Sequence, residues 1–155
     1  MNDYNMFDEN KLRENLAGLV QSLHTLLEGN ITLQSLESAL DSHDALINQF
    51  ASLGVASTAT EALGRIECFI IEHAPAIYAA QSTPQQQEII IKRFARHLLA
   101  IEGIGPATAK QLFEARIALP EQLFGLTPEE VAALPLPPAS LARVTALHTQ
   151  QTTRQ

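Results

Sequence analysis

The sequence predicts an all-α protein in two parts, and three observations carry this. Apolar residues recur at three- and four-residue spacing through most of the 155 positions, the period of helix faces. Thr-Pro pairs and single glycines punctuate these runs where helices start and stop. No stretch alternates apolar and polar residues over a useful strand length. Leu and Ala dominate the apolar content, which also favours helix.

The first helix is expected over residues 8–28, where Leu12, Leu16, Leu19, Leu23 and Leu26 form one stripe that Val20 and Leu27 widen to a core-facing face, broader than a narrow coiled-coil seam. Gly29-Asn30 stops it. A second helix is expected from about Thr32 to Leu53, with Leu33, Leu36, Leu40, His43, Ile47 and Phe50 on one face and Gly54 as its end. Thr58-Ala59-Thr60-Glu61 reads as a capping box opening a third, which Pro75 must kink or end near Ala74. Thr83-Pro84-Gln85-Gln86 marks a fourth, because Thr suits the N-cap, Pro the first turn and Gln the third position. It is expected to run to about Ala100.

Further on, a short helix is expected from Pro106 to about Ala115 and another over Pro120–Phe124. Thr127-Pro128-Glu129-Glu130 opens the next with a second Thr-Pro start and capping box. Leu134-Pro135-Leu136-Pro137-Pro138 separates it from a last helix over about Ala139–His148, and the polar residues 150–155 are expected to fray. This divides the chain into an N-terminal helical bundle, residues 1–82, and a second domain, residues 83–155.

Charge divides in the same way. The net charge is −7, yet residues 1–91 hold three basic and twelve acidic residues, whereas residues 92–155 hold seven basic and five acidic. The halves differ in sign, which can mark a nucleic-acid-facing end and an acidic end with another task. Lys92 with Arg96, and Arg93 with His97, are i,i+4 pairs that make the densest basic cluster. The single cysteine, Cys68, excludes an internal disulfide framework. No apolar run approaches the roughly 18 residues of a membrane helix, and Met1-Asn2-Asp3-Tyr4 lacks the basic start of a signal peptide. These features set the expectation of a soluble cytoplasmic protein without a membrane partner.

The basic cluster leads into Ile101-Glu102-Gly103-Ile104-Gly105-Pro106-Ala107-Thr108-Ala109-Lys110. Two glycines bracket one apolar residue, so a tight turn with positive φ is open to either Gly. Gly105-Pro106 then starts a helix, and free N–H groups at its positive end suit a phosphate. These residues resemble the helix-hairpin-helix motif: apolar residue, any residue, Gly, apolar, Gly, then a helix with small and basic residues. The Gly-Ile-Gly core, Ala109 and Leu112 fall at family positions. Glu102 stands where the family often carries Pro, and Ala107 where it often carries Lys or Arg.

The whole order over about residues 85–148 resembles the tandem helix-hairpin-helix domain. Its second turn, Leu136-Pro137-Pro138, has no Gly and too few N–H groups to cradle a phosphate. The resemblance implies weak, non-specific contact with a DNA backbone. Gly103, Ile104 and Gly105 would form the nest, Thr108 and Lys110 would add side-chain contacts, and Arg93 and Arg96 would flank them. A second reading is a protein-interaction module that keeps the hairpin fold without DNA contact, supported by the acidic total, Glu102, Ala107 and the Pro-rich second turn. In either reading the acidic N-terminal half is a place for a protein partner or self-association.

No catalytic set stands out, for there is no P-loop, no GxSxG elbow and no HExxH. His43, His73 and Cys68 lack the close spacing of a zinc site. The expectation is therefore a protein without metal or cofactor that is not an enzyme.

Overall fold

The computed structural model describes residues 3–54, 57–81 and 83–154. It is all-α, and no strand occurs among the described residues. The chain divides into two compact units, Met1–His73 and Ala74–Gln155.

In the first unit, α1 (Asp3–Leu27), α2 (Leu33–Leu53) and α3 (Ser57–Glu72) follow one another. α2 packs along both α1 and α3. Leu19, Leu46 and Leu63, one from each helix, form the buried centre, with Leu12, Leu23, Ile47, Phe50 and Ile66 packed around it. Asn15 Nδ2 donates to Gln49 Oε1 at 2.8 Å and ties α1 to α2.

Gly54 ends α2 as expected, and its N-terminal cap is one that the sequence reading did not single out. Thr32 and Ser35 close a capping box, and Gly54 ends the helix in the left-handed region at φ 65°. Thr58, expected at the cap of α3, lies inside that helix instead. α3 is already helical at Ser57, so the Thr58 tetrad does not mark its start.

The second unit begins with α4 (Ala74–Ala80). Pro75 ends α3 and occupies the first turn of α4, where its missing N–H costs nothing. α5 (Pro84–Phe94) starts at the expected cap, with Thr83 Oγ1 accepting from Gln86 N.

The long fourth helix is broken at Ala95, where α5 gives way to the single turn α6 (Arg96–Leu99). Ala95 has φ −93° and ψ 16°. Its N–H still reaches Ile91 O, and its own carbonyl accepts from Leu99 N, so the break sacrifices little hydrogen bonding. It sits between Phe94 and Leu98, and all three are fully buried.

There follow α7 (Pro106–Glu114), α8 (Pro120–Phe124), α9 (Pro128–Ala132) and α10 (Pro138–Thr153). Leu112, Phe113, Leu123, Val131 and Val144 are fully or almost fully buried in this unit. Tyr78 packs edge-on against Phe113, with ring centroids 5.8 Å apart. Burial, and secondarily the charge of Glu114, raises the Tyr78 phenol above its ordinary pKa of 10.0. His148 Nε2 lies 2.7 Å from Leu126 O and joins α10 to the α8–α9 connection.

Helix α10 runs past His148 to Thr153, where the polar sequence suggests fraying. Thr152 and Thr153 donate back to carbonyls three and four residues earlier, so their hydroxyls are satisfied within the helix.

Candidate nucleic-acid interface

The stretch 101–110 forms a tight turn between α6 and α7. Ile101 N–H donates to Leu98 O, and Ile104 N–H donates to Ile101 O at 3.1 Å, which closes the turn. That closure requires a left-handed residue, and Gly103 supplies it at φ 99°. Gly105 is in ordinary extended backbone, φ −99° and ψ −178°, as the N-cap of α7. Pro106 then occupies the first turn, and Ala109 N–H returns to Gly105 O at 2.9 Å.

This geometry assigns the expected residues different parts. Ile104 is buried, and its N–H is spent on the turn, so it anchors the loop and offers no donor. Thr108 is only 3% exposed, so its side chain lies within the unit and not beside Lys110 at the surface. Its burial follows from helical spacing, since Thr108 shares a face with the fully buried Leu112. The backbone donors ahead of the first intrahelical bond of α7 are those of Gly105, Ala107 and Thr108, because Pro106 has none. Gly103 and Ala107 are exposed and Gly105 and Lys110 half-exposed. Arg93 and Arg96 are half-buried, and each is engaged in an interaction of its own.

One cation beside the turn is not nominated by the sequence. The Arg143 side chain, from α10, passes the turn so closely that its Cδ lies 3.9 Å from where a Cβ on Gly103 would be, and Leu147 Cδ1 lies at 3.7 Å. Arg143 and Leu147 are four apart, so one face of α10 presents both to the turn. The spacing alone was legible. The approach of α10 to this turn was not, since it depends on tertiary packing. On its other side Glu102 lines a cleft of about 420 Å³ with Phe124, Leu147, Gln150 and Arg154.

The second turn repeats the first with an offset of 32 positions. Leu136 is buried where Ile104 is, Pro137 is the N-cap where Gly105 is, and Pro138 opens α10 where Pro106 opens α7. Val144 is fully buried where Leu112 is. Pro135 stands at the place of Gly103, and its ring excludes positive φ. Leu136 N–H turns instead to Leu134 O at 2.8 Å. Three prolines therefore leave this turn almost no outward donor.

Compared with protein-family models, curated proteins and solved structures, the chain has no match. The local geometry is accordingly what bears on function.

The ligand atoms of His43, Asp44 and Glu67, in the first unit, lie within 4.8 Å of one another. His43 Nδ1 is 3.0 Å from Asp44 Oδ1, and its buried Nε2 has no hydrogen-bond partner among the described residues. Asp44 and Glu67 each take part in further interactions. The trio differs from the His43, His73 and Cys68 grouping that the sequence brings to mind. His73 Nδ1 is held by Phe69 O at 2.8 Å within its own helix.

Proposed function

We propose that the second unit holds the sugar-phosphate backbone of nucleic acid, without reading sequence, through the turn between α6 and α7. The single observation that carries this reading is the Gly103–Gly105 turn itself. It combines a left-handed glycine, a buried Ile104 anchor and the open N-terminus of α7 with the Arg143 side chain alongside. Helix N-termini attract phosphate through free N–H groups and the helix dipole. Lys110, one turn into α7, and Arg143 add positive charge on either side.

The order of elements from α6 to α10, two helix-turn-helix pairs joined by α8, supports a tandem helix-hairpin-helix arrangement. Its second turn, with Pro at three of five positions, then serves packing. Phosphate contacts carry no base information, so any preference would come from duplex shape or from a partner protein. Affinity is expected in the non-specific range of roughly 10⁻⁴–10⁻⁶ M.

The second reading is a protein-interaction module of the same fold. Glu102 favours it, being exposed at the tip of the turn where it repels phosphate.

Fluorescence anisotropy of a labelled duplex with the full chain across a salt series separates the two. Lys110→Ala and Arg143→Ala should each flatten the plot of log K against log salt by about one unit, since each neutralised phosphate contributes about 0.9. Binding that is absent at low salt, or that ignores both substitutions, leaves the interaction module in its place.

A further inference from the structure

We infer that the first unit is a dimerisation module, in which α1 pairs antiparallel with α1 of a second copy of this chain. The inference rests on the face of α1 that the three-helix unit leaves open and is independent of the nucleic-acid reading.

Along α1 the apolar residues serve two faces. Leu19 and Leu26 are buried, Leu19 in the centre shared with Leu46 and Leu63. Leu16, Val20 and Leu27 are 41%, 65% and 72% exposed, and Leu23 is half-buried between them. Their spacing of four, three and four is that of a helix-pairing seam, not of scattered surface leucines. The same face continues into a cleft where Leu23 and Leu27 meet Ile66 and Phe69 of α3. Soluble monomers seldom leave so continuous an apolar strip uncovered.

The occupant follows from symmetry and charge. A four-three-four spacing reads the same in both directions. In an antiparallel pair about a two-fold axis between Gln21 and Ser22, Leu16 meets Leu27 of the second copy and Val20 meets its Leu23. Every seam position is thereby filled by an apolar residue, as an isologous interface demands.

The first unit carries three basic and eleven acidic residues, which would oppose a second copy were the charge evenly spread. It is not. Arg65 lines the cleft, and Arg13 lies one turn before Leu16 on the margin of the seam. In the antiparallel register Arg13 falls opposite Asn30, just past the C-terminal end of the second copy's α1 and within reach of its Glu28, which in the single chain is 3.0 Å from His24 Nε2. There a cation meets both the negative helix end and a carboxylate. In the single chain Arg13 pairs with the exposed Glu9 at 2.7 Å, a surface contact that can be exchanged.

Sedimentation velocity on the full chain, at concentrations from about 1 to 500 µM to span millimolar to micromolar dissociation constants, reads the assembly directly. The wild type should pass from monomer to dimer within that range. Val20→Glu should weaken the dimer by more than about a hundredfold, because two carboxylates would be buried without partners. Its helical content and melting should stay as in the wild-type monomer, since Val20 faces water there. Leu16→Glu and Leu27→Lys should each fail to self-associate and should form a heterodimer when mixed. The register sets the carboxylate introduced by the first substitution against the ammonium introduced by the second.

A wild type that remains monomeric throughout overturns the inference and leaves the face to a foreign helix. A dimer that survives Val20→Glu overturns the surface. A mixture of the two charged variants that stays monomeric overturns the antiparallel register.

Discussion

The turn between α6 and α7 places different demands on its two glycines, and substituting each by alanine separates them. At Gly103 φ is 99°, a region in which an L-residue is strained whatever space surrounds it. The added methyl itself would meet only ordinary contacts, Leu147 Cδ1 at 3.7 Å and Arg143 Cδ at 3.9 Å. The cost is therefore one of backbone conformation, about 1–3 kcal/mol for a non-glycine residue held in a sparsely populated region. At Gly105 the backbone is extended and a Cβ meets nothing within 4 Å. Alanine there should be neutral or stabilising by about 0.4–1 kcal/mol, because it restricts the unfolded chain. For a unit of this size each kcal/mol corresponds to about 4–8 °C in melting temperature. Thermal melts followed by circular dichroism should show Gly103→Ala lowered by several degrees and Gly105→Ala unchanged or raised. Equal losses, or a larger loss at Gly105, would refute the assignment of the left-handed position and with it the description of the turn.

Two further expectations concern the second unit. Leu112 is fully buried beneath the turn, and Leu112→Ala should cost about 2–5 kcal/mol by removing buried atoms and leaving a cavity, measurable as a loss in urea midpoint. Tyr78 has a folded-state pKa raised above 10.0, so the fold favours its protonated phenol. That contribution is fully present below the unfolded pKa and is lost as pH rises through the folded value. Alkaline melts should thus lose stability above about pH 10 more steeply for the wild type than for Tyr78→Phe. Parallel curves for the two proteins would contradict the burial argument.

Much of the fold was legible because its boundaries are written in local chemistry. Thr83 before Pro84, Thr127 before Pro128 with Glu130, and Gly54 after Leu53 are where the caps form. The break at Ala95 was not legible. No Gly or Pro marks it, and it lies between Phe94 and Leu98, whose burial is a tertiary matter. Thr58 shows the converse, a sound capping pattern that the helix overruns.

In the candidate site the motif placed the turn but not the roles within it. Either glycine could have taken positive φ, and the bond from Ile104 N–H to Ile101 O fixes Gly103 as the one that does. The burial of Thr108 could have been read from its four-residue spacing to Leu112. Arg143 could not, because nothing local says that α10 returns to the first turn. On α1 the stripe reads as one core-facing face, yet Val20 and Leu27 turn outward. Which of its residues turn outward became clear only from the packing of α1 on α2.

The most direct measurement is the map of backbone amide shifts when short duplex DNA is added to the full chain at low salt. The largest changes should fall on the amides of Gly103, Gly105, Ala107 and Thr108, fade as salt is raised, and be the same for duplexes of unrelated sequence. Ala133 and Leu134 at the second turn should stay still. Changes centred on the second turn or on the first unit, or none at all at the first turn, would contradict the proposed binding at the first turn.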